Sequence, residues 1–161
     1  MGMIMQITIQ RAMPEQHERL THITLAAKKH WGYPERWMEI WKEALTITPQ
    51  FIANNEVYAA MVESEVAGFY GLIVSEDKVQ LEHMWVDPDY IGSGIGKRLF
   101  DHAIEVAASL NASSMEIESD PNAEGFYKRM GARRIGEFVS ELEGQPRALP
   151  LLVVDLPSRH A

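Results

Sequence analysis

Val86-Asp87-Pro88-Asp89-Tyr90-Ile91-Gly92-Ser93-Gly94-Ile95-Gly96-Lys97-Arg98-Leu99 sets three alternating glycines between an apolar run ending at Val86 and a helix-like run beginning near Ile95. A loop of this kind presents several backbone N–H groups to one anion at the positive end of a helix dipole. A Cβ at those positions would hold a phosphate away from the backbone, which is the reason for glycine. The spacing is not that of a P-loop. Counting back from Gly96-Lys97, Ile91 stands where the first glycine belongs, and Arg98 replaces the Ser or Thr that would meet magnesium. A dinucleotide fingerprint fails as well, because Gly92, Gly94 and Gly96 lie two apart and not in G-x-G-x-x-G order. The bland reading is an ordinary strand-to-helix turn.

Working outward, Val79 to Val86 reads as the strand that delivers the chain into this loop. Before it, Val57 to Val62 and Val66 to Val74 form a hairpin around Glu63-Ser64-Glu65. After it, Ile95, Leu99, Ala103, Val106, Ala107 and Leu110 make the buried stripe of a helix that stops at Asn111. Met115 to Ser119 reads as a strand and Asn122 as the start of a short helix, in which Ala123, Phe126, Tyr127 and Met130 share one face and Gly131 caps the end. Ile135 to Val139 and Leu149 to Leu156 form a last strand pair, joined by a loop with Gly144 and Pro146. Upstream, Met3 to Arg11 reads as a strand. Pro14 opens a helix with Leu20, Ile23, Thr24 and Ala27 on one face, and a second helix carries Trp37, Ile40, Trp41, Ala44 and Leu45. Pro49 closes that region. The order β-α-α-β-β-β-α-β-α-β-β is that of an α+β domain with a mixed central sheet flanked by helices.

At 161 residues the chain fits one domain, 1–161, with helices over about 14–50 and a core over about 56–156. Its net charge of −8 argues against nucleic acid as a partner and suits a cationic acceptor. No apolar run approaches the roughly 18 residues of a membrane span, and no signal pattern is visible, so the expected compartment is the cytoplasm. The absence of cysteine removes both disulfides and a thiolate nucleophile. The six histidines lack ligand spacing, so no metal is expected.

The glycine loop resembles motif A of the GNAT superfamily of acyl-CoA-dependent N-acetyltransferases, [QR]-x-x-G-x-[GA], with Gly94 and Gly96 as the required glycines. Asp120-Pro121-Asn122-Ala123-Glu124-Gly125-Phe126-Tyr127-Lys128-Arg129-Met130-Gly131-Ala132 resembles motif B of the same family, in the right order. The resemblance implies acetyl-CoA as cosubstrate, with its pyrophosphate on Ile91, Gly92, Ser93, Gly94, Ile95, Gly96 and Lys97. It also implies pantetheine alongside Met84 and Val86, and Asn122 bonded to the same arm. Lys97, Arg98, Lys128 and Arg129 fall on or beside the two motifs and would supply local positive charge. The departure is Ile91, which stands at the usual Gln/Arg position and implies weaker or differently oriented cofactor binding.

Transfer from a thioester to an amine requires a deprotonated amine, a donor to the oxyanion and a proton for the leaving thiolate. By the resemblance, Tyr127 is the general acid beside the thioester sulfur; otherwise it is a packed core ring. Glu82 leads the candidates for the base, on the same strand face as Met84 and Val86. A carboxylate on an otherwise apolar inner strand is costly unless paired or functional, and the plain alternative is a salt-bridged or edge-exposed Glu. His83 has a more convenient pKa but faces the other way; Glu116, Glu118 and a water chain stay open. Asn122 also reads as a plain helix N-cap. Trp31 and Tyr33, beside Gly32, are expected at the acceptor, and Trp37 and Trp41 in the core. The implied activity is direct transfer to a primary amine of a small molecule or peptide. A non-catalytic acyl-CoA-binding module and a nucleotide-binding domain are the other readings. A homodimer paired through the terminal strands is compatible with the resemblance.

Overall fold

The computed structural model describes residues 6–76 and 78–157. Its strands β1 (Ile7–Arg11), β2 (Glu56–Val62), β3 (Glu65–Ser75), β4 (Lys78–Val86), β5 (Ser114–Glu118), β6 (Arg133–Leu142) and β7 (Gln145–Asp155) follow the order β1-β2-β3-β4-β5-β7-β6 in one seven-stranded sheet. The β1–β2, β5–β7 and β6–β7 pairs are antiparallel and β4–β5 is parallel, so the sheet is mixed as expected. The chain divides into two units. One runs to Gly71 and resumes over His83–His102; the other comprises Leu72–Glu82 and runs on from Ala103.

The first unit holds β1 (Ile7–Arg11), a 3-10 turn (Pro14–Gln16), α1 (His17–His30), α2 (Glu35–Leu45), α3 (Pro49–Asn54) and β2 (Glu56–Val62). To these it adds the starts of β3 (Glu65–Ser75) and α4 (Ile95–Ser109) and the end of β4 (Lys78–Val86). The part of the first strand expected at Met3–Met5 lies outside the described residues. Leu20, Ile23, Thr24 and Ala27 of α1 are all buried, as their spacing requires. Leu20 and Ile23 join Ile47, Ile52, Val57 and Phe69 in one core cluster. Thr24 sits in that apolar stripe because its hydroxyl donates to the Thr21 and Leu45 carbonyls, so no buried polar group is left unpaired.

Two expectations fail here. Pro49 does not end the helical region but opens α3 as its first residue, with the Thr48 hydroxyl accepting from the Phe51 N–H at 3.0 Å. The second helix does not bury its apolar stripe either. Leu45 is its buried residue, Ile40 and Ala44 are exposed, and Trp37 and Trp41 are only half-buried. These tryptophans pack against each other and against Tyr33, with centroids 5.9, 5.8 and 4.9 Å apart, and leave part of each ring to solvent.

The second unit holds β5 (Ser114–Glu118), α5 (Glu124–Arg129), β6 (Arg133–Leu142) and β7 (Gln145–Asp155). Leu110 is exposed, not buried, because α4 ends at Ser109 and Asn111 turns left-handed with φ of 66°. The last two strands are longer than their apolar runs suggest. Glu143 and Gly144, at φ of 52° and 74°, form the tight two-residue turn, and Pro146 is paired with Glu141 inside the ladder.

Candidate active site

The approach to the glycine loop is fixed at Asp87. This residue is buried, its N–H donates to the Ala67 carbonyl at 2.8 Å, and its carboxylate accepts from the Asp89 N–H at 3.0 Å. Arg19 of α1 closes the arrangement with an ion pair of 2.7 Å to Asp87 and a bond of 2.8 Å to the Val66 carbonyl. A 3-10 turn over Pro88–Tyr90 follows, and the Tyr90 carbonyl accepts from both the N–H and the hydroxyl of Ser93.

Gly92 and Gly94 then take φ of 83° and 86°, a region that side chains with a Cβ occupy only under strain. A Cβ added to either would meet nothing within 4 Å. The glycines are therefore required by the backbone turn, and the space above them is open. The Gly94 carbonyl accepts from the Arg98 N–H at 3.1 Å, which starts α4. The N–H groups of Ile95, Gly96 and Lys97 are the first-turn donors that have no carbonyl to meet within their own helix. Alternating left-handed residues before such an end make an anion-binding concavity. Ile91 at its rim is 59% exposed. The expected local positive charge is largely committed: Lys97 pairs with Asp101 at 2.8 Å, Arg98 donates to the Ile7 carbonyl and Lys128 pairs with Glu124.

Along β4 the alternation holds. Val79, Leu81 and His83 are buried, and Glu82 is on the opposite, exposed face with half-buried Met84 and Val86. Glu82 is exposed on that face, as the edge-exposed alternative for it allows. Partial desolvation, and then Glu118, still raise its pKa, and its carboxylate accepts from Gln80 at 3.2 Å. The parallel register with β5 ends at Leu81↔Ile117, before Met84 and Val86 are reached. His83 lies among Phe51, Phe69 and Trp85. Burial lowers its pKa to about 4, so at neutral pH the ring is uncharged, not the convenient base its ordinary pKa suggests. Its Nδ1 accepts from the Trp85 indole N–H at 2.9 Å.

Tyr127 is buried on α5, and burial, with Asp120 adding to it, pushes its phenol well above the usual value. Gly131, at φ of 104°, ends this helix by sending the Ala132 N–H back to the Tyr127 carbonyl at 3.0 Å and its own N–H to that of Lys128 at 3.1 Å. Ala123 is the N-cap, so Asn122 is not. Asn122 lies in the turn before it, where its backbone and side-chain N–H groups both donate to one Asp120 oxygen at 2.8 and 2.9 Å.

Trp31 meets Trp85 of β4 with centroids 5.9 Å apart and the rings tilted by 45°, and Tyr33 contacts Trp37 and Trp41. Three contributors escaped the sequence reading. Trp85 was hidden by an alternation that reads as core, and Arg19 has no local signal at all. Lys28 carried one: it precedes Trp31 by three helical positions. Among the described residues no cluster of His, Asp and Glu is fit to hold a metal, and no helix is long and apolar enough to cross a membrane.

The sequence model of the Acetyltransferase (GNAT) family matches residues 17–132, from the start of α1 to the residue after the α5 cap. The peptidyl-lysine N-acetyltransferase YjaB of Salmonella typhimurium is 31% identical over 138 residues, covering 76% of this chain and 91% of its own. A GCN5-related N-acetyltransferase from Rhodopseudomonas palustris superposes with a TM-score of 0.79 at 20% identity, covering 96% of this chain and 99% of its own. The PaiA N-acetyltransferase of Thermoplasma acidophilum, solved with coenzyme A, gives a TM-score of 0.74 at 20% identity over 94% of this chain and 99% of its own.

Proposed function

The chain belongs to the GNAT family of acetyltransferases, and we propose that it carries an acetyl group from acetyl-CoA directly to a primary amine, that of a peptidyl lysine or of a small molecule. The observation that carries this reading is the pair of left-handed glycines, Gly92 and Gly94, opening onto the first turn of α4. In this reading the N–H groups of Gly92, Gly94, Ile95, Gly96 and Lys97 hold the pyrophosphate, Ser93 shapes the loop through its bonds to the Tyr90 carbonyl, and the exposed Ile91 side chain contributes no polar bond. Met84 and Val86 run beside pantetheine, and Asn122 bonds the same arm. The relative named for peptidyl-lysine acetylation supports a lysine side chain as the acceptor.

The amine nitrogen attacks the thioester carbonyl carbon, and the carbonyl π pair moves to oxygen. Collapse of that oxyanion breaks the C–S bond, and Tyr127 gives its phenolic proton to the departing sulfur. The proton lost by the amine passes to Glu82, directly or through water. With no cysteine in the chain, transfer within a ternary complex is favoured over a covalent relay.

Calorimetric titration with acetyl-CoA, CoA and ATP tests the first half. The expected result is binding of the two CoA species and none of ATP. Release of CoA in the presence of lysine peptides, lost in Tyr127→Phe, tests the second. Failure to bind acetyl-CoA at sub-millimolar concentration would remove the reading.

A further inference from the structure

The ammonium of Lys28 sits against three aromatic rings of its own chain. Nζ is 4.4 Å from the centroid of Trp41, 5.1 Å from Tyr33 and 5.8 Å from Trp31, each inside the range of a cation–π contact. Lys28 and the three rings are half-buried, so the box has an open side. Tyr33 and Trp41 meet edge to face at 86°, and Trp31 continues into Trp85 on β4. The box is built around Gly32, which turns the chain from α1 toward α2 at φ of 85°.

We infer that the Trp31–Tyr33–Trp41 box recognises a fixed second cation on the acceptor, an alkylammonium or quaternary ammonium that is not itself acetylated, and that Lys28 fills the box in the free protein as its stand-in. This rests on the amine acceptor proposed above. Ring faces hold the charged form of an amine, whereas transfer needs the neutral form. A nitrogen seated in the box is therefore a handle and not the nucleophile. An acceptor with a single amine would gain nothing from the box, while one with a neighbouring cation would be drawn to it. Lys28 is tethered one helical turn before Trp31 and competes for the same seat.

Binding and transfer are measured separately. Nα-acetyl-Nε-trimethyl-lysine amide carries a permanent cation that cannot be acetylated, and its binding is read from tryptophan emission, with the norleucine amide as neutral control. The expected result is binding of the cationic probe, about tenfold tighter in Lys28→Met and lost in Trp41→Leu. Trp41→Phe keeps a ring and the packing, and is expected to retain partial affinity, which leaves a folded comparison if the leucine variant does not fold. In the transfer assay, a lysine peptide with a second lysine beside the acceptor is expected to show a KM about tenfold below that of its norleucine counterpart in the wild type, and no such preference in Trp41→Leu. Equal binding of the cationic and neutral probes by Lys28→Met, or a charge preference that survives loss of Trp41, would overturn the inference. If neither peptide is acetylated the lysine acceptor falls, while the probe titration still decides the box.

Discussion

Arg19 on α1 holds the buried carboxylate of Asp87 at 2.7 Å while the same guanidinium donates to the Val66 carbonyl. The ion pair thus ties a helix and β3 to the residue at which β4 gives way to the glycine loop. Asp87→Asn keeps an acceptor for the Asp89 N–H but drops the charge that Arg19 faces. Because Arg19 is itself partly exposed, the expected loss of stability is modest, about 2 kcal/mol. Acetyl-CoA affinity should fall roughly tenfold, as the loop loses its pre-organisation. Urea unfolding and calorimetry check the two effects; an unchanged dissociation constant would mean that the loop holds its shape without the pair.

Gly94 and Gly68 separate two uses of glycine. At Gly94 the space is open and only φ is demanding, so Gly94→Ala is expected to cost about 1 kcal/mol of stability while sharply weakening acetyl-CoA binding. At Gly68 an added Cβ would lie 2.8 Å from the Trp85 carbonyl oxygen and 3.2 Å from Ile95 and Leu99 side-chain carbons. Backbone cannot yield cheaply, so Gly68→Ala should lose about 3 kcal/mol. Thermal unfolding of the two variants side by side gives the ranking.

Tyr127→Phe should lower kcat by about 10²-fold or more and leave CoA affinity within about twofold, if the phenol donates to sulfur. Since burial keeps that phenol protonated above its ordinary value of about 10, it should produce no alkaline limb in the rate at lower pH. Glu82 works in the opposite sense. A base must be ionised, so kcat/KM should climb as pH rises through the raised Glu82 value and then level off. In Glu82→Gln that limb should vanish. A limb that persists assigns the base elsewhere.

His83 makes stability depend on pH in the mildly acidic range. Its folded pKa of about 4 lies below the ordinary 6.5, so the unfolded chain takes up the proton first. The contribution is complete above pH 6.5 and is lost as pH falls through about 4, up to about 3 kcal/mol in all. His83→Asn offers an acceptor to the Trp85 indole without titrating, and should flatten the unfolding free energy across that window. Denaturant midpoints at several pH values measure the slope.

Ile91 offers a gain instead of a loss. Its side chain is 59% exposed at the rim of the loop, so replacement disturbs no core. Ile91→Arg should tighten acetyl-CoA binding by about tenfold, the size of one charge-assisted hydrogen bond to phosphate. Equal affinity in calorimetry would show that residue 91 does not reach the anion.

Where periodicity and glycine chemistry speak, the sequence was legible. The α1 stripe, the faces of β4, the caps at Asn111 and Gly131 and the glycine loop all follow from local rules. Trp37 and Trp41 were misjudged because a helical aromatic stripe looks the same whether it meets a sheet or, as here, other rings and a cationic side chain, Arg36 over Trp37 and Lys28 over Trp41. The sequence placed Glu82 on one face of β4 with Met84 and Val86 but could not say whether that face is covered, because what packs on it comes from distant parts of the chain. Arg19 and Asp87 are 68 positions apart, and no spacing rule links them. His83 could be placed on its face but not given its low pKa, since the rings of Phe51 and Phe69 that surround it arrive from α3 and β3.

The two-residue turn at Glu143-Gly144 has a consequence in time. It joins strands that pair along nearly their whole length, so the β6–β7 hairpin can zip from its own loop in about 1–10 μs. β5 has no such shortcut. Its partners on β4 and β7 lie dozens of residues away on either side, and both loops must close before it is held. β5 is therefore fixed after the β6–β7 hairpin, and so is β1, whose partners on β2 also lie dozens of residues away.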